Sequence, residues 1–167
     1  MNADTKKKIK WKDWLFETWG MTCLKIKPPF GELEFKPMDA DKDAAWELYV
    51  ELLTRITTQN LEQSHGDEKT ALASVYSLFG ITREIIRHHG RKCSEFTKIA
   101  VIVLNQVVRP FTAKWHQASL EKTFDDPDQR NAFRKELAVL QKRLKTYTRM
   151  LADMAGVEDL TDMEPDR

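Results

Sequence analysis

The sequence predicts a mainly α protein, with a four-helix bundle core and a short N-terminal helix and β-hairpin as an annex. Three observations carry that expectation. Apolar residues recur at helical spacing, most clearly Phe133, Leu137, Leu140, Leu144, Tyr147, Leu151 and Met154, which step by four and three. Helix ends are marked in the chain: Asp126-Pro127 is a start, and Gly90 and Gly156 are stops. The 167 residues are 41% hydrophobic and 32% charged, enough to bury one core and keep it solvated. The expected organisation is a basic arm with the short helix and hairpin over 1–38, the bundle over 39–156, and an acidic tail over 157–167.

Each element has its own signal. Trp11, Trp14, Leu15 and Trp19 share one helical face, and Gly20 follows. Leu24 and Ile26, then Leu33 and Phe35, alternate with polar residues on either side of Pro28-Pro29-Phe30-Gly31, the pattern of a hairpin. Two strands alone are marginal, so the annex has to lean on helices or on a partner sheet. The first long helix is expected over about 41–59, with Asp39 or Asp41 as cap and Ala45, Leu48, Leu52 and Ile56 inward. The second spans about 67–89, with Leu72, Val75, Tyr76, Phe79, Ile85 and Ile86 inward. The third starts near Ser94. Its run Ile99–Leu104 is apolar all round and belongs at the centre, and Pro110, lacking an N–H, should bend it. The fourth carries the seven-residue seam, which serves either bundle packing or a partner helix.

Charge narrows the function classes. The formal net charge of +1 is a cancellation. Residues 1–36 carry +3, residues 37–152 carry +3, and residues 153–167 carry −5. A broad polyanion-binding face needs a larger surplus of Lys and Arg, although a local cationic site does not. The two cysteines show no metal-ligand spacing and fit reduced thiols, and no apolar run reaches membrane-spanning length. The expectation is a cytoplasmic protein without cofactor, metal or membrane contact.

One polar stripe stands out. Asn105, Arg109, Thr112 and His116 step by four, three and four among strongly apolar neighbours. A buried Arg109 needs an anion: a carboxylate such as Glu47, Glu51 or Glu84, or a phosphate-bearing ligand. Arg83 and Arg87 lie one turn apart on the second helix, ahead of His88, His89, Arg91 and Lys92. Bases at a helix C-terminus complement its dipole, and they also suit an anion. Arg83, Arg87, Asn105 and Arg109 are thus the candidate anion-binding residues. His88 and His89 are adjacent and point in different directions on a helix, a poor chelating pair, which argues against a metal. There is no phosphate-binding glycine loop, nucleophile elbow or metalloprotease helix.

Two resemblances follow from these residues. Arg109-Pro110-Phe111-Thr112-Ala113-Lys114-Trp115-His116 resembles the Arg-x(4–6)-His motif of HEPN ribonucleases, dimeric helical proteins. The resemblance implies that Arg109 stabilises an RNA phosphate and that His116 does acid–base work, with no metal. Arg83 with His88 gives a second match, and Pro110 stands where the family often has a polar residue. Separately, Ala45–Leu52, Ser77–Glu84, Val107–Phe111, Lys114–His116 and Ala155–Leu160 together resemble an uncharacterised family of small bacterial helical proteins associated with conflict and phage-defence gene clusters. That likeness implies a component of a multi-protein system, with a protein partner or self-association. The expected function is a non-enzymatic adaptor or regulatory subunit. The alternatives are a HEPN-type endoribonuclease, with RNA as its partner, and an anion or nucleotide sensor.

Overall fold

The computed structural model describes residues 9–22, 24–26, 34–59, 61 and 67–163, and over them the protein is mainly α. Helix α1 is one turn, Trp11–Asp13, running on as a π turn over Trp14–Thr18. Then come α2, Asp39–Leu53; α3, Glu68–His89; α4, Ser94–Val103; α5, Arg109–Leu120; and α6, Pro127–Ala155. A π turn, Leu104–Val108, joins α4 to α5 as one bent rod.

Local chemistry explains the boundaries. Asp67 opens α3 by accepting from the Thr70 N–H and hydroxyl. The Thr70 hydroxyl holds this carboxylate below its ordinary range. Asp126 opens α6 in the same way by accepting from Asp128 N–H, with Pro127 in the first turn. Gly156 closes α6 at φ +71°, where a side chain is unfavourable. For α2 the expected cap residue is one turn inside. Met38 is the cap position, and its N–H donates to Asp41 Oδ2 at 2.7 Å. The other oxygen of Asp41 accepts from Phe96 N–H at 2.9 Å, so one buried carboxylate joins the starts of α2 and α4.

The expected first helix ran to residue 59, but α2 ends at Leu53. Its last carbonyls are taken by hydroxyls: Thr54 Oγ1 donates to Val50 O, and Thr58 Oγ1 donates to Leu52 O at 2.6 Å. Pro110 does coincide with a bend, although the distortion sits just before it. The wider π ring absorbs the hydrogen bond that proline cannot give.

The core is one cluster drawn from every helix. Helix α2 packs most extensively on α6 and also on α3 and α4. All seven residues of the α6 seam are buried inside this cluster, so the seam is spent within the fold. Helix α5 is pinned to α6 by rings: Phe133 lies 5.2 Å from both Trp115 and Phe124 and 5.4 Å from Phe111. Trp115 Nε1 donates to Glu136 at 3.0 Å, and Lys114 pairs with the same carboxylate. A buried ion pair, Arg134 Nε to Glu68 Oε1 at 2.7 Å, ties the start of α3 to α6.

Three further expectations are corrected. Among the described residues there is no strand, and Leu24–Ile26 is irregular. Its Lys25 backbone instead exchanges two hydrogen bonds with the Gln106 side chain on the π turn. Glu34 forms an isolated antiparallel bridge with Lys10, not with the 22–27 stretch. The rest of the expected hairpin, residues 23 and 27–33, lies outside the described residues. The annex holds by aromatic packing, with Trp14 stacked on Phe35 at 4.1 Å and Trp11 Nε1 donating to buried Glu95 at 2.5 Å. Tyr76 faces outward, being 62% exposed, and Val101 is 44% exposed, so the third helix is not enclosed on all sides. Residues 157–163 of the acidic tail are anchored. Tyr49 donates to Glu158 O and accepts from Leu160 N–H, and Arg149 pairs with Asp159 and Asp162.

Candidate functional site

Two grooves flank α3, and they carry opposite charge. The first lies between α3 and α5. It encloses about 220 Å³ and is lined by Tyr76, Phe79 and Arg83 of α3 and Arg109, Thr112, Ala113 and His116 of α5. Three of the four residues of the polar stripe therefore line one opening, and Asn105 stands one turn before them. The aromatic cluster under Phe111 and Trp115 fixes the opposite face of α5, which leaves Arg109 and His116 toward solvent.

Arg109 is exposed and has no carboxylate partner among the described residues, so of the two expected anions the structure supplies no carboxylate there. The three proposed partners are elsewhere. Glu47 meets His89, Glu51 pairs with Arg55 at 2.6 Å, and Glu84 lines the other groove. Instead, Arg109 Nε donates to Asn105 Oδ1 at 3.1 Å, and its guanidinium lies 4.9 Å from the centre of the Phe79 ring. A cation over a ring face is held by the ring quadrupole. With Nε engaged, both terminal NH₂ groups remain available to a planar or tetrahedral anion. Arg83 and His116 are exposed and form no ion pair with described residues. The groove therefore concentrates two fixed positive charges, a titratable imidazole and an exposed phenol ring, with no acid lining it.

Arg87 is exposed but does not line this groove. His88 lines the other one, so the second motif match, Arg83 with His88, is split between the two sides of α3. Tyr76, expected inside the core, lines this groove instead, while half-buried Phe79 packs on the core and also meets the groove. The signal for the correct face was present: Tyr76, Phe79 and Arg83 step by three and four, matching Arg109, Thr112 and His116 across the groove.

The second groove lies between α2 and α3. It encloses about 470 Å³ and is lined by Trp46, Glu47, Val50 and Glu51 with Ile81, Glu84, Ile85 and His88. Glu47 Oε1 stands 2.8 Å from His89 Nε2, so the two histidines have a carboxylate neighbour, supplied by a different helix. The sequence argues against a metal because adjacent histidines point apart, yet these two rings stack with centres 4.8 Å apart. Cys93 is a buried free thiol whose hydrogen bonds stay local, to Gly90 O and Thr97. No helix among the described residues is long and apolar enough to cross a membrane.

The chain matches no protein-family model, no curated protein and no solved structure.

Proposed function

We propose that this protein is a phosphate-binding helical module whose α3/α5 groove takes the phosphate of a nucleotide or of an RNA chain. The observation that carries the reading is Arg109 itself. It is exposed and held by Asn105 and Phe79, and among the described residues it meets no acid and its terminal NH₂ groups are unused. A guanidinium held this way loses little freedom on meeting a phosphate. Arg83 adds a second charge, and Tyr76 offers an exposed ring on which a base can stack. About 220 Å³ is below the roughly 300–1,000 Å³ of sites that enclose a drug-sized ligand, so the groove suits a phosphate with one ring at its rim.

The test is binding of AMP, inorganic phosphate and a short oligoribonucleotide by calorimetry. Arg109→Ala is expected to weaken nucleotide binding by about tenfold or more, the loss of one charge-assisted bidentate contact. Asn105→Ala should weaken it less. Wild-type protein that binds none of the three ligands, or an Arg109→Ala variant that binds as tightly, overturns the reading.

A second reading uses the same groove. Arg109 and His116 share one face of α5 and both line the opening, as the HEPN resemblance implies. That reading expects metal-independent RNA cleavage by a dimer, lost in both Arg109→Ala and His116→Ala. The adaptor reading, with a cytoplasmic place in a bacterial defence assembly, is supported by the sequence resemblance. It has lost the α6 seam as a contact surface, and it keeps exposed apolar side chains such as Trp46, Leu120 and Val139. We also read the core as a four-helix bundle, with α4, the π turn and α5 counted as one helix. The packing of α2 on α3, α4 and α6 supports that description.

A further inference from the structure

We infer that Glu47, His88 and His89 form a binding site for a borderline divalent cation such as Zn²⁺, at the end of the α2/α3 groove. The three side chains come from two helices, and their ligand atoms all lie within 4.8 Å of one another. Zinc binds imidazole nitrogen and carboxylate oxygen at about 2.0–2.1 Å, so two ligands of one tetrahedral ion stand about 3.3 Å apart. Glu47 Oε1 and His89 Nε2, at 2.8 Å, are already at that spacing or closer. Here a proton bridges the pair, and the ion would take its place, since the ligating forms are carboxylate and neutral imidazole. The third donor has to close by about 1.5 Å at most to reach the tetrahedral spacing. His88 is exposed and free to turn that far.

A plain ion pair between Glu47 and His89 explains two of the three residues. It does not explain His88. Adjacent residues on a helix diverge by about 100°, yet the His88 and His89 rings stack with centres 4.8 Å apart and planes 28° apart. Both imidazoles are thereby gathered beside one carboxylate. Two imidazoles and one carboxylate suit zinc, copper, nickel or cobalt, and are poor for calcium or magnesium, which demand oxygen. Three protein ligands leave a coordination position open toward the groove, where water can enter and where Glu84, one turn before His88, also lies. The surrounding charge favours a cation: Glu47 and Glu84 line the groove, Glu51 beside them is paired with Arg55, and Arg87, Arg91 and Lys92 do not line it.

The test uses the untagged full chain, stripped with chelator and then titrated with ZnCl₂ by calorimetry, with Co²⁺ as a spectroscopic probe. One equivalent of Zn²⁺ is expected to bind and to raise the melting temperature. Co²⁺ should give the visible bands of a four- or five-coordinate ion. Loss of an outer partner of a metal ligand typically costs roughly 10–100-fold in affinity, and loss of a ligand should cost at least as much. His88→Ala and Glu47→Gln are therefore expected to weaken Zn²⁺ binding by about tenfold or more. His88 accepts and donates no side-chain hydrogen bond among the described residues, so His88→Ala should melt like the wild type without metal. His116→Ala, which leaves the three ligands intact, should bind Zn²⁺ as the wild type does. If the wild type takes up no Zn²⁺, or if His88→Ala binds it as tightly, Glu47 and His89 are a structural pair only and the inference fails.

Discussion

The hydroxyl of Tyr147 is buried on α6 with no hydrogen-bond partner among the described residues. Burial pushes this phenol far above its ordinary value of 10. The sign follows from the neutral form being favoured in the fold. The unfolded chain releases the proton first, so the contribution to stability is complete below about pH 10 and falls as pH rises beyond it. Tyr147→Phe should therefore hold or raise stability at pH 7, by up to about 1 kcal/mol, because it deletes a polar group that gains nothing. In urea melts above pH 10 its advantage should widen. An equal or larger loss of stability in the variant would mean that the hydroxyl has a partner. Asp41 is the converse case, a buried carboxylate with an N–H donor on each oxygen. At this scale the sequence was readable along a helix and unreadable across helices. The stripe Asn105, Arg109, Thr112, His116 could be seen because its members share one periodicity. The Glu47–His89 and Asp41–Phe96 contacts could not, because 42 and 55 residues separate their members.

At the scale of elements, the ends of helices were legible wherever one residue type has a local reason to stop or start the chain. Gly90, Asp126 and Gly156 stand at their expected boundaries. The last can be tested. Nothing lies within 4 Å of a methyl group added at Gly156, so only the left-handed backbone opposes it. Gly156→Ala should lower stability by about 1 kcal/mol, read from the urea midpoint at unchanged slope. A neutral result would mean that the end of α6 relaxes away from φ +71°. Where side chains compete with the backbone the reading overshot, as with the threonines that stop α2 at Leu53. The annex misled for a different reason. Alternation over four or five residues specifies a pleat only if a neighbouring strand accepts it, and here Lys25 finds Gln106 first.

Across the whole molecule, α3 divides the charge. Arg83 faces one groove with Arg109 and His116, and its neighbour Glu84 faces the other with Glu47 and Glu51. Net charge is silent about such an arrangement, because +1 is the same number whether the signs are mixed or sorted. The sorting depends in turn on the π turn at Leu104–Val108, which sets how α5 meets α3. The buried face of the rod runs without a break from Phe96, Ile99, Ala100 and Val103 through Leu104, Val107 and Val108 to Phe111, Thr112 and Trp115. Pro110 lies on the exposed side of the rod, and its missing N–H falls where the π turn has already widened the hydrogen-bonded ring by one residue. The rod therefore behaves as an ordinary helix carrying an insertion of one residue, with the proline tolerated because of it. Deleting Asn105 should restore the regular frame and trap Pro110 inside it, at about 3 kcal/mol. Deleting Asn105 together with Pro110→Ala should recover most of that loss, so the two changes are strongly non-additive in urea melts. Simple additivity would show that the extra residue and the proline are unrelated. An extra residue, which derails most helices, is in this stretch taken up as a π turn.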